Sequence, residues 1–422
     1  MTTDKPNIEE LGSSTGKPGA SPASLLIDQI LERAARTSAV FINKNVLSMD
    51  YIPDYLPFRD KQIAEVASTL SPILKKERCS NLFLYGKPGT GKTVVARFVL
   101  RRLAAKAVSL GLQDVFVYVN TRLSGTAYRV VWELAHQLGL SLPFTGLSIP
   151  EMMRRIYGHI ARQNTRVIIV LDEIDFLVKH FGDDLLYELT RARLDTGEYA
   201  GSAYTIVGIS NDLMFKEVLD PRVLSTLAEE EIVFPPYTAQ ELGEILRERA
   251  RIAFKSGAIS DAAINLCAAL SGSEHGDARR AVELLRVAGE IAERAGASQV
   301  TEEHVQQASI RIESDRLQDA VSTLPLHAKL LLLSSLRLQN ATTGQVYRKY
   351  ERLCEACGAS PVTPRRATGI LSELDALGLL HAELISSGRY GRTKRIKTQD
   401  SERLLSILAA DPILKDLVSS EG

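Results

Sequence analysis

The chain contains 422 residues, a length that predicts about two to four domains, each with its own hydrophobic core. Hydrophobic residues make up 45% and charged residues 24%, and 28 glycines and 16 prolines are too few for a fibrous or disordered chain. No apolar run reaches the ~18 to 20 residues that cross a bilayer, and the first 24 residues lack the apolar segment of a secretion signal. We therefore expect a cytoplasmic protein without a membrane partner.

The net charge of zero conceals one basic segment. Lys and Arg number 51, as do Asp and Glu, but residues 321–398 hold 12 Lys and Arg against 5 Asp and Glu. A positive balance confined to one part of the chain indicates a polyanionic partner for that part.

The four cysteines, Cys79, Cys267, Cys354 and Cys357, are too sparse for a disulfide framework. The last two form a CxxC, but no second CxxC or paired histidine cluster accompanies it to complete a zinc site. Both fall on the apolar face of a predicted helix, which favours core packing over a redox or metal role.

Residues 1–24 are rich in glycine, proline and serine, and we predict a disordered tail. Residues 25–236 alternate helical patterns with short β-rich runs. These runs are Asn81–Tyr85, Val115–Val119, Val167–Leu171, Tyr204–Ser210 and Glu231–Phe234. The run 167–171 is apolar on both faces, as is typical of a strand in a parallel sheet covered by helices on each side. We therefore predict an α/β domain with a five-stranded parallel sheet.

The first strand leads into the sequence Gly86-Lys-Pro-Gly-Thr-Gly-Lys-Thr93, which matches the phosphate-binding loop GxxxxGK[ST] between a strand and a helix. Glycines let backbone N–H groups approach phosphates, the lysine reaches the terminal phosphates, and the threonine holds Mg²⁺. The sequence thus predicts an ATP or ADP site. Its core residues are Gly86, Lys87, Pro88, Gly89, Thr90, Gly91, Lys92, Thr93 and Val94.

The third run ends in Asp172-Glu173-Ile-Asp175, at the sheet edge where the phosphate loop also lies. We predict that Asp172 organises Mg²⁺ together with Thr93, and that Glu173 polarises the attacking water. Asp175 is interpreted as a cap of the next helix rather than a catalytic group. The fourth run ends at Asn211, which we predict to orient the water.

Pro235-Pro236 ends the strand pattern, and Thr238-Ala-Gln-Glu241 is a capping box that opens an all-α module at residues 237–320. Three arginines in and near this module can reach phosphate. Arg222 follows Asp220-Pro221 on a turn, and Arg279 and Arg280 begin a helix after Gly276-Asp277. Each also has the simpler interpretation of a solvated surface cation.

Residues 321–400 have the order helix, helix, helix, hairpin, which predicts a winged-helix domain, and residues 401–422 add a C-terminal helix. The third helix begins at Thr363-Pro364, and its N-terminal end enters the major groove in such folds. We predict DNA contacts from Thr363, Arg365 and Arg366. The hairpin, or wing, is predicted to contact phosphate or the minor groove through Arg389, Tyr390, Arg392 and Lys394.

In this order, the phosphate loop, the Asp-Glu pair, Asn211, Asp-Pro-Arg222 and Gly-Asp-Ala-Arg279 resemble an AAA+ ATPase. From about residue 40 to residue 398 the chain more closely resembles the archaeal replication initiators, relatives of the eukaryotic origin recognition complex and its helicase-loading partner. Four further segments carry this resemblance, namely residues 50–59, 118–122, 230–237 and 388–393.

The resemblance implies an active ATPase with roles for individual residues. Asn211 would be the first sensor, Arg222 the arginine finger acting across a subunit boundary, and Arg279 the second sensor, with Arg280 as the alternative. Tyr51, Arg59 and Tyr237 would line the nucleotide, and Arg129 would lie in the initiators' extra helical segment near DNA. The implied partners are double-stranded origin DNA, other initiator subunits and the replicative helicase, the minichromosome maintenance complex, in a nucleoid-associated protein.

Two other functions are compatible with the motifs. A regulatory P-loop ATPase with a winged helix would control transcription, and a clamp-loader-like subunit would contact DNA through its ATPase ring. The basic wing argues against the clamp loader, and the separate helical module with its Gly-Asp-Ala-Arg motif argues against the regulator.

Overall fold

We describe a computed structural model of the chain over residues 38–419, except 78, 114, 164, 192–202, 228–229, 274, 387–391 and 399–400. The predicted tail of residues 1–24 lies outside the described residues. The chain divides into two compact units, one ending at Val305 and one beginning at Gln306. This division falls inside a single helix, Glu302–Ser322, upstream of the boundary at residue 320 that the sequence suggested. The domain bounds drawn from the sequence stay predictions.

The first unit contains a five-stranded sheet in which every neighbouring pair is parallel. The strand order is β2-β3-β4-β1-β5. The strands are β1 (Leu82–Tyr85), β2 (Val115–Asn120), β3 (Arg166–Asp172), β4 (Ala203–Ser210) and β5 (Glu230–Val233). The α/β fold class predicted from the sequence is confirmed, and each strand lies within one residue of its predicted bounds.

Helices cover both faces of this sheet. On the interior strand β3, Val167 and Ile169 join one buried cluster, and Ile168 and Val170 join another on the opposite face. This is the physical reason why residues 167–171 are apolar at every position. The helices are α1 (Asp60–Leu70), α2 (Lys92–Ser109), α3 (Thr121–Ser124), α4 (Ala127–Gln137), α5 (Ile149–Gln163), α6 (Ile174–Phe181), α7 (Asp184–Arg191) and α8 (Pro221–Leu227).

A helical lid follows the sheet in the same unit. It consists of α9 (Ala239–Ala253), α10 (Asp261–Ser273), α11 (Ala278–Arg294) and the start of α12 (Glu302–Ser322). The predicted capping box is present at the start of α9. The Thr238 N–H donates to the Glu241 carboxylate, and the Glu241 N–H donates to the Thr238 hydroxyl.

The beginning of the described chain packs on the lid rather than on the sheet. The Ile42 N–H donates to the Ala253 carbonyl (2.8 Å), and the rings of Phe41 and Phe254 lie 4.8 Å apart. The sequence-based division had grouped these residues with the nucleotide-binding domain. The contact is long-range, so no local pattern in the sequence signals it.

The second unit has winged-helix architecture, as predicted. After α12 come α13 (Leu326–Leu338), β6 (Asn340–Thr342), α14 (Thr343–Ala356), α15 (Pro364–Ala376), β7 (His381–Ser386), β8 (Arg392–Lys397), α16 (Ser401–Ala409) and α17 (Lys415–Ser419). The antiparallel sheet has the order β6-β8-β7. The two C-terminal helices share the core of this unit, since Leu404, Leu408 and Leu417 are buried with Leu333 and Leu371.

Cys79, Cys267 and Cys354 are buried as free thiols, and Cys357 is partly buried at the end of α14. In the described part of the chain, no helix is long and apolar enough to cross a membrane. Over the same residues, no group of three or more His, Cys, Asp or Glu side chains is arranged to hold a metal ion.

Candidate nucleotide site and nucleic-acid interface

The loop between β1 and α2 holds the predicted phosphate-binding residues. Gly89 and Gly91 have φ angles of 71° and 92°, a left-handed region that glycine adopts without steric cost. The loop leads directly into the N-terminus of α2, where unpaired N–H groups and the helix dipole favour an anion. Lys87 and Pro88 are exposed, whereas Thr90 is buried. Backbone and helix end together make this a suitable phosphate cradle.

Lys92, the first residue of α2, is buried beneath the loop. Its Nζ donates to the carbonyls of Gly86 (2.8 Å) and Lys87 (2.7 Å). Burial, together with the positive charge of Arg279, lowers the pKa of Lys92 to about 8, against the opposing attraction of nearby carboxylates that include Asp172. The amine is therefore held inside the loop with its charge only partly compensated. An incoming phosphate would stabilise that charge.

Thr93 and Asp172 meet, as the sequence predicted for a metal pair. The Thr93 hydroxyl donates to Asp172 Oδ2 (2.8 Å), and Asp172 is buried at the end of β3. Two more donors hold the carboxylate: the Tyr118 hydroxyl bonds Oδ2 (2.6 Å), and the Glu173 N–H bonds Oδ1 (2.9 Å). A hydroxyl and a carboxylate are oxygen donors of the kind that Mg²⁺ takes beside substrate phosphates. These residues fit a magnesium site, with Val94 half-buried beside them in the first turn of α2.

Glu173 occupies a left-handed backbone conformation, with φ of 54° and ψ of 43°, at the junction of β3 and α6. Its carboxylate is restrained on both oxygens, because Asn120 Nδ2 donates to Oε1 (3.3 Å) and the Arg122 guanidinium lies 3.5 Å from Oε2. Asn120 is the last residue of β2, and Arg122 lies in α3, which follows directly. A base held in this way is adjacent to the metal pair but is engaged by two side chains.

Asn211 and Asp175 lie together at the adjoining strand end. Asp175 Oδ1 accepts from the Ser210 hydroxyl (3.1 Å) and from the Asn211 N–H (3.2 Å). The capping interpretation of Asp175 is therefore wrong. The residue at the N-cap position of α6 is Glu173, and its side chain forms no capping hydrogen bond. Asp175 instead links the start of α6 to the end of β4. This contact crosses between strands and is invisible to capping statistics.

Arg222 lies at the start of α8 and is largely exposed. Its guanidinium forms a two-point ion pair with Asp220 (3.1 and 2.9 Å) and lies over the ring of Tyr187. The side chain thus projects at the surface instead of joining Lys92 and Asp172, which is the arrangement that a residue acting on a neighbouring subunit requires.

The lid contacts the phosphate loop at the start of α11. Asp277 caps this helix by accepting from the Arg279 N–H (2.8 Å) and the Arg280 N–H (3.3 Å), and the Ala278 N–H donates to the Gly89 carbonyl (3.1 Å). A Cβ on Gly89 would lie 1.7 Å from Asp277 Oδ1. The positive charge of Arg279 acts on Lys92, so this lid residue lies close enough to influence the phosphate loop.

Arg59 packs against the phosphate loop and the start of the lid. It is buried, and its guanidinium donates to the carbonyls of Thr90 (2.9 Å), Phe58 (2.9 Å) and Pro235 (2.7 Å) while stacking on the Tyr237 ring (3.7 Å). Burial lowers the pKa of Arg59, but an arginine stays charged. Arg59 and Tyr237 therefore lie at the junction of loop and lid.

Tyr51 lies against the lid. The Arg249 guanidinium lies over its ring at 4.7 Å and also donates to the Val46 carbonyl (2.8 Å). This placement beside α9 leaves the predicted nucleotide contact of Tyr51 untested.

The N-terminal end of α15 presents the predicted recognition residues. Thr363 caps the helix through its hydroxyl, and Arg365 and Arg366 are both exposed. Arg366 forms an exposed ion pair with Glu373 (3.1 Å). Behind this helix end, the buried Tyr350 hydroxyl accepts from the Val362 N–H (2.9 Å), which fixes the segment that enters α15.

The wing strands β7 and β8 are paired in register from His381 and Lys397 to Ser386 and Arg392. The predicted tip residues of the wing, Arg389 and Tyr390, lie outside the described residues, as does the Arg392 side chain. Lys394 was predicted to contact DNA, but its Nζ donates to Ser372 Oγ on α15 (2.7 Å). This bond ties the wing to the recognition helix.

Arg129 lies in the first turn of α4 in the first unit and is exposed. Thr126 caps the same helix, its hydroxyl accepting from the Arg129 N–H (3.2 Å). The preceding helix α3 exposes Leu123, 84% of which is accessible. The segment that resembles the initiators' extra helical element is thus present as two short helices after β2.

Besides Asn120 and Arg122, which engage Glu173, the sequence also missed Tyr118 and Asp277 as side chains of the candidate nucleotide site. Strand alternation contained a signal for Tyr118, which pairs with Val170 on β3. Asp172 follows Val170 by two residues, so its side chain lies on the same face of the sheet as that of Tyr118. Asp277 was recognisable as a helix cap, but its approach to Gly89 depends on how the lid folds back.

Comparison with known families agrees with this architecture. Three family models match: an AAA domain over residues 75–207, the Cdc6 AAA+ ATPase-type lid domain over residues 243–310, and the CDC6 C-terminal winged helix domain over residues 319–406. The chain is 47% identical over 384 residues to the ORC1-type DNA replication protein 1 of Sulfurisphaera tokodaii, covering 90% of this chain and 95% of that protein. The corresponding protein of Aeropyrum pernix is 48% identical over 392 residues, with 91% and 98% coverage.

Solved structures give the same result. The structure of the Aeropyrum pernix ORC1 protein in complex with DNA superimposes with a TM-score of 0.83 at 47% identity, covering 90% of this chain and 100% of that one. The structure of Drosophila ORC bound to DNA shares the fold at 21% identity, with a TM-score of 0.55.

Proposed function

Because the chain belongs to the family of ORC1-type DNA replication proteins, it is a DNA replication initiator, and we propose that ATP binding and hydrolysis act in it as a switch that helps load the replicative helicase. The resemblance to archaeal replication initiators is thereby confirmed. Family membership favours this role over the transcriptional regulator, and no observation on the chain favours the regulator.

The contact between lid and phosphate loop carries the proposed switch. Asp277 and the Ala278 N–H lie on Gly89, and Arg279 acts on the charge of Lys92. A phosphate bound in the loop would interact with the lysine and the lid arginine at once. Nucleotide binding would therefore stabilise one orientation of the lid, and loss of the terminal phosphate would weaken it.

Membership among AAA+ ATPases supports hydrolysis by this site. Lys92 would bind the phosphates, Thr93 and Asp172 would hold Mg²⁺, and Asn211 would orient the water that Glu173 activates. Mg²⁺, when bound, neutralises phosphate charge and orients the terminal phosphate. Because Asn120 and Arg122 engage Glu173, we infer that basal hydrolysis is slow and rises when this carboxylate is released.

DNA binding is supported by the relative solved with DNA and by the basic winged helix. Arg365 and Arg366 would enter the major groove at the end of α15, and the wing would meet phosphate or the minor groove. Arg129 would add a contact from the first unit. The proposed protein partners are the replicative helicase and other initiator subunits. Arg222 would act on the nucleotide site of a neighbouring copy.

A reconstituted loading assay tests this function. Purified protein is mixed with the replicative helicase and either origin or scrambled duplex, with ATP, with ADP or without nucleotide. We expect salt-stable helicase on origin duplex only with ATP. Equal recovery on both duplexes under every nucleotide condition would contradict the proposal. Footprinting in cells supplies the second arm, since binding at promoters instead of replication start sites would favour the regulator.

A further inference from the structure

The carboxylate of Asp172 accepts three hydrogen bonds within the protein. Its Oδ2 accepts from both the Thr93 hydroxyl (2.8 Å) and the Tyr118 hydroxyl (2.6 Å), and Oδ1 accepts from the Glu173 N–H (2.9 Å). An ionised carboxylate offers about four acceptor positions. Oδ2 is therefore saturated, and one position remains on Oδ1. The carboxylate is held in one orientation with a single lone pair left for a metal or its water.

Two further side chains, Arg97 and Gln137, hold Tyr118 in place. The Arg97 guanidinium lies over its ring at 4.2 Å. The side-chain amide of Gln137, at the end of α4, brackets its peptide unit, accepting from the Tyr118 N–H (3.0 Å) and donating to the Tyr118 carbonyl (2.8 Å). Because β2 is the edge strand, this amide substitutes for a missing strand partner at that residue.

The hydroxyl is a permanent donor. Burial, followed by the negative charge of Asp172, raises the pKa of Tyr118 well above its ordinary value. The proton therefore stays on the tyrosine oxygen throughout the pH range in which proteins work. A donor of this kind, bonded to an ionised acceptor at 2.6 Å, belongs to the strong class of hydrogen bonds.

We propose that Tyr118 is a positioning residue of the metal site: its hydroxyl orients Asp172 and thereby sets the affinity of the nucleotide site for Mg²⁺. The proposal rests on the proposed ATP and Mg²⁺ function. Partners of metal ligands commonly change metal affinity by about 10- to 100-fold when removed. Removing only the hydroxyl takes away one of the two donors to Oδ2, so the carboxylate is held less firmly in the orientation that presents Oδ1.

The test is Tyr118→Phe, which removes one oxygen and retains the ring under Arg97. Binding of a fluorescent ATP analogue is titrated at a series of buffered Mg²⁺ concentrations and, separately, with EDTA. We expect the half-saturating Mg²⁺ concentration to rise about tenfold, while affinity in EDTA is unchanged. Introduced into an Asp172→Asn background, the same substitution should change the Mg²⁺ dependence no further.

Tyr128→Phe is the matched control, because the buried Tyr128 hydroxyl has no hydrogen-bond partner among the residues that the structure describes. It should titrate like the unmodified protein. An unchanged or lower half-saturating Mg²⁺ concentration in Tyr118→Phe overturns the proposal, as does an equal loss of affinity with and without Mg²⁺, which would mark Tyr118 as a support of the fold. If the unmodified protein binds the analogue independently of Mg²⁺, the metal site itself falls as well. If binding by the unmodified protein depends on Mg²⁺ and Tyr118→Phe shows the same dependence, only the proposed role of Tyr118 is refuted.

Discussion

The pKa of Lys92 predicts an unusual pH dependence of nucleotide binding. Burial and the nearby Arg279 hold this pKa at about 8, well below the 10.5 of an ordinary lysine. Phosphate needs the protonated amine, and only the fraction of molecules that carry the proton is competent to bind. The folded pKa is lowered, so protonation is lost as pH rises through about 8, and affinity falls in the same direction.

The magnitude follows from the titration curve. With a pKa of about 8, roughly three-quarters of the amines are protonated at pH 7.5 and roughly one in eleven at pH 9, so the apparent Kd should rise about eightfold. An ordinary lysine would stay almost fully protonated over this range. The phosphate of ATP contributes little to this pH dependence, because it loses its last proton at about pH 6 to 7, below the range of the titration.

Calorimetric or fluorescence titration of ATP between pH 7.5 and pH 9, at constant ionic strength, measures this effect. Lys92→Arg is the control, since a guanidinium does not titrate here and its affinity, though weaker, should stay level with pH. Circular dichroism at each pH confirms that the protein remains folded. A level profile in the unmodified protein would show that Lys92 keeps an ordinary pKa and that the loop does not desolvate it.

Three further outcomes are expected. Glu173→Gln should bind ATP normally and abolish phosphate release, because the amide leaves the contacts of Lys92 and Asp172 in place but cannot accept a proton. Gly89→Ala should lower both thermal stability and ATP affinity, at a cost of about 1 to 3 kcal/mol, because the added Cβ combines a strained φ with a clash against Asp277. Arg365→Ala should weaken duplex binding and reduce the log–log salt slope by about 0.9 if the side chain contacts phosphate, as measured by anisotropy over a salt series.

Each of these outcomes has a control. Normal turnover in Glu173→Gln would mean that another group activates the water. Gly111→Ala has a similar φ of 70°, and no described residue lies within 4 Å of its added Cβ, so an equal loss there would assign the effect to backbone strain alone. Arg366→Ala also breaks the exposed pair with Glu373, worth at most about 1 kcal/mol, and tests whether both arginines contribute. Unchanged binding of both variants would make the end of α15 a solvated surface.

Local patterns in the sequence were sufficient for most elements of this protein, although β6 and the division of the C-terminal helix into α16 and α17 were not predicted. The phosphate loop could be read because strand, glycine turn and helix are contiguous from β1 to α2. The interior strand β3 was recognisable as covered on two faces because residues 167–171 are all apolar, and the turn residues between β7 and β8 indicated the wing. In all these cases the pattern that identifies the element is carried by residues close in the chain, so composition and spacing encode it.

Contacts between distant segments were decided only by the tertiary structure. Tyr118 reaches Asp172 because β2 and β3 lie side by side in one register, and Asp277 reaches Gly89 because the lid folds back over the loop. The lowered pKa of Lys92 is likewise a sum of burial and charges contributed by separate elements. A side chain's type is written in the sequence, but its partners depend on distances that the whole fold sets, and hydrogen bonding and desolvation act only over those distances.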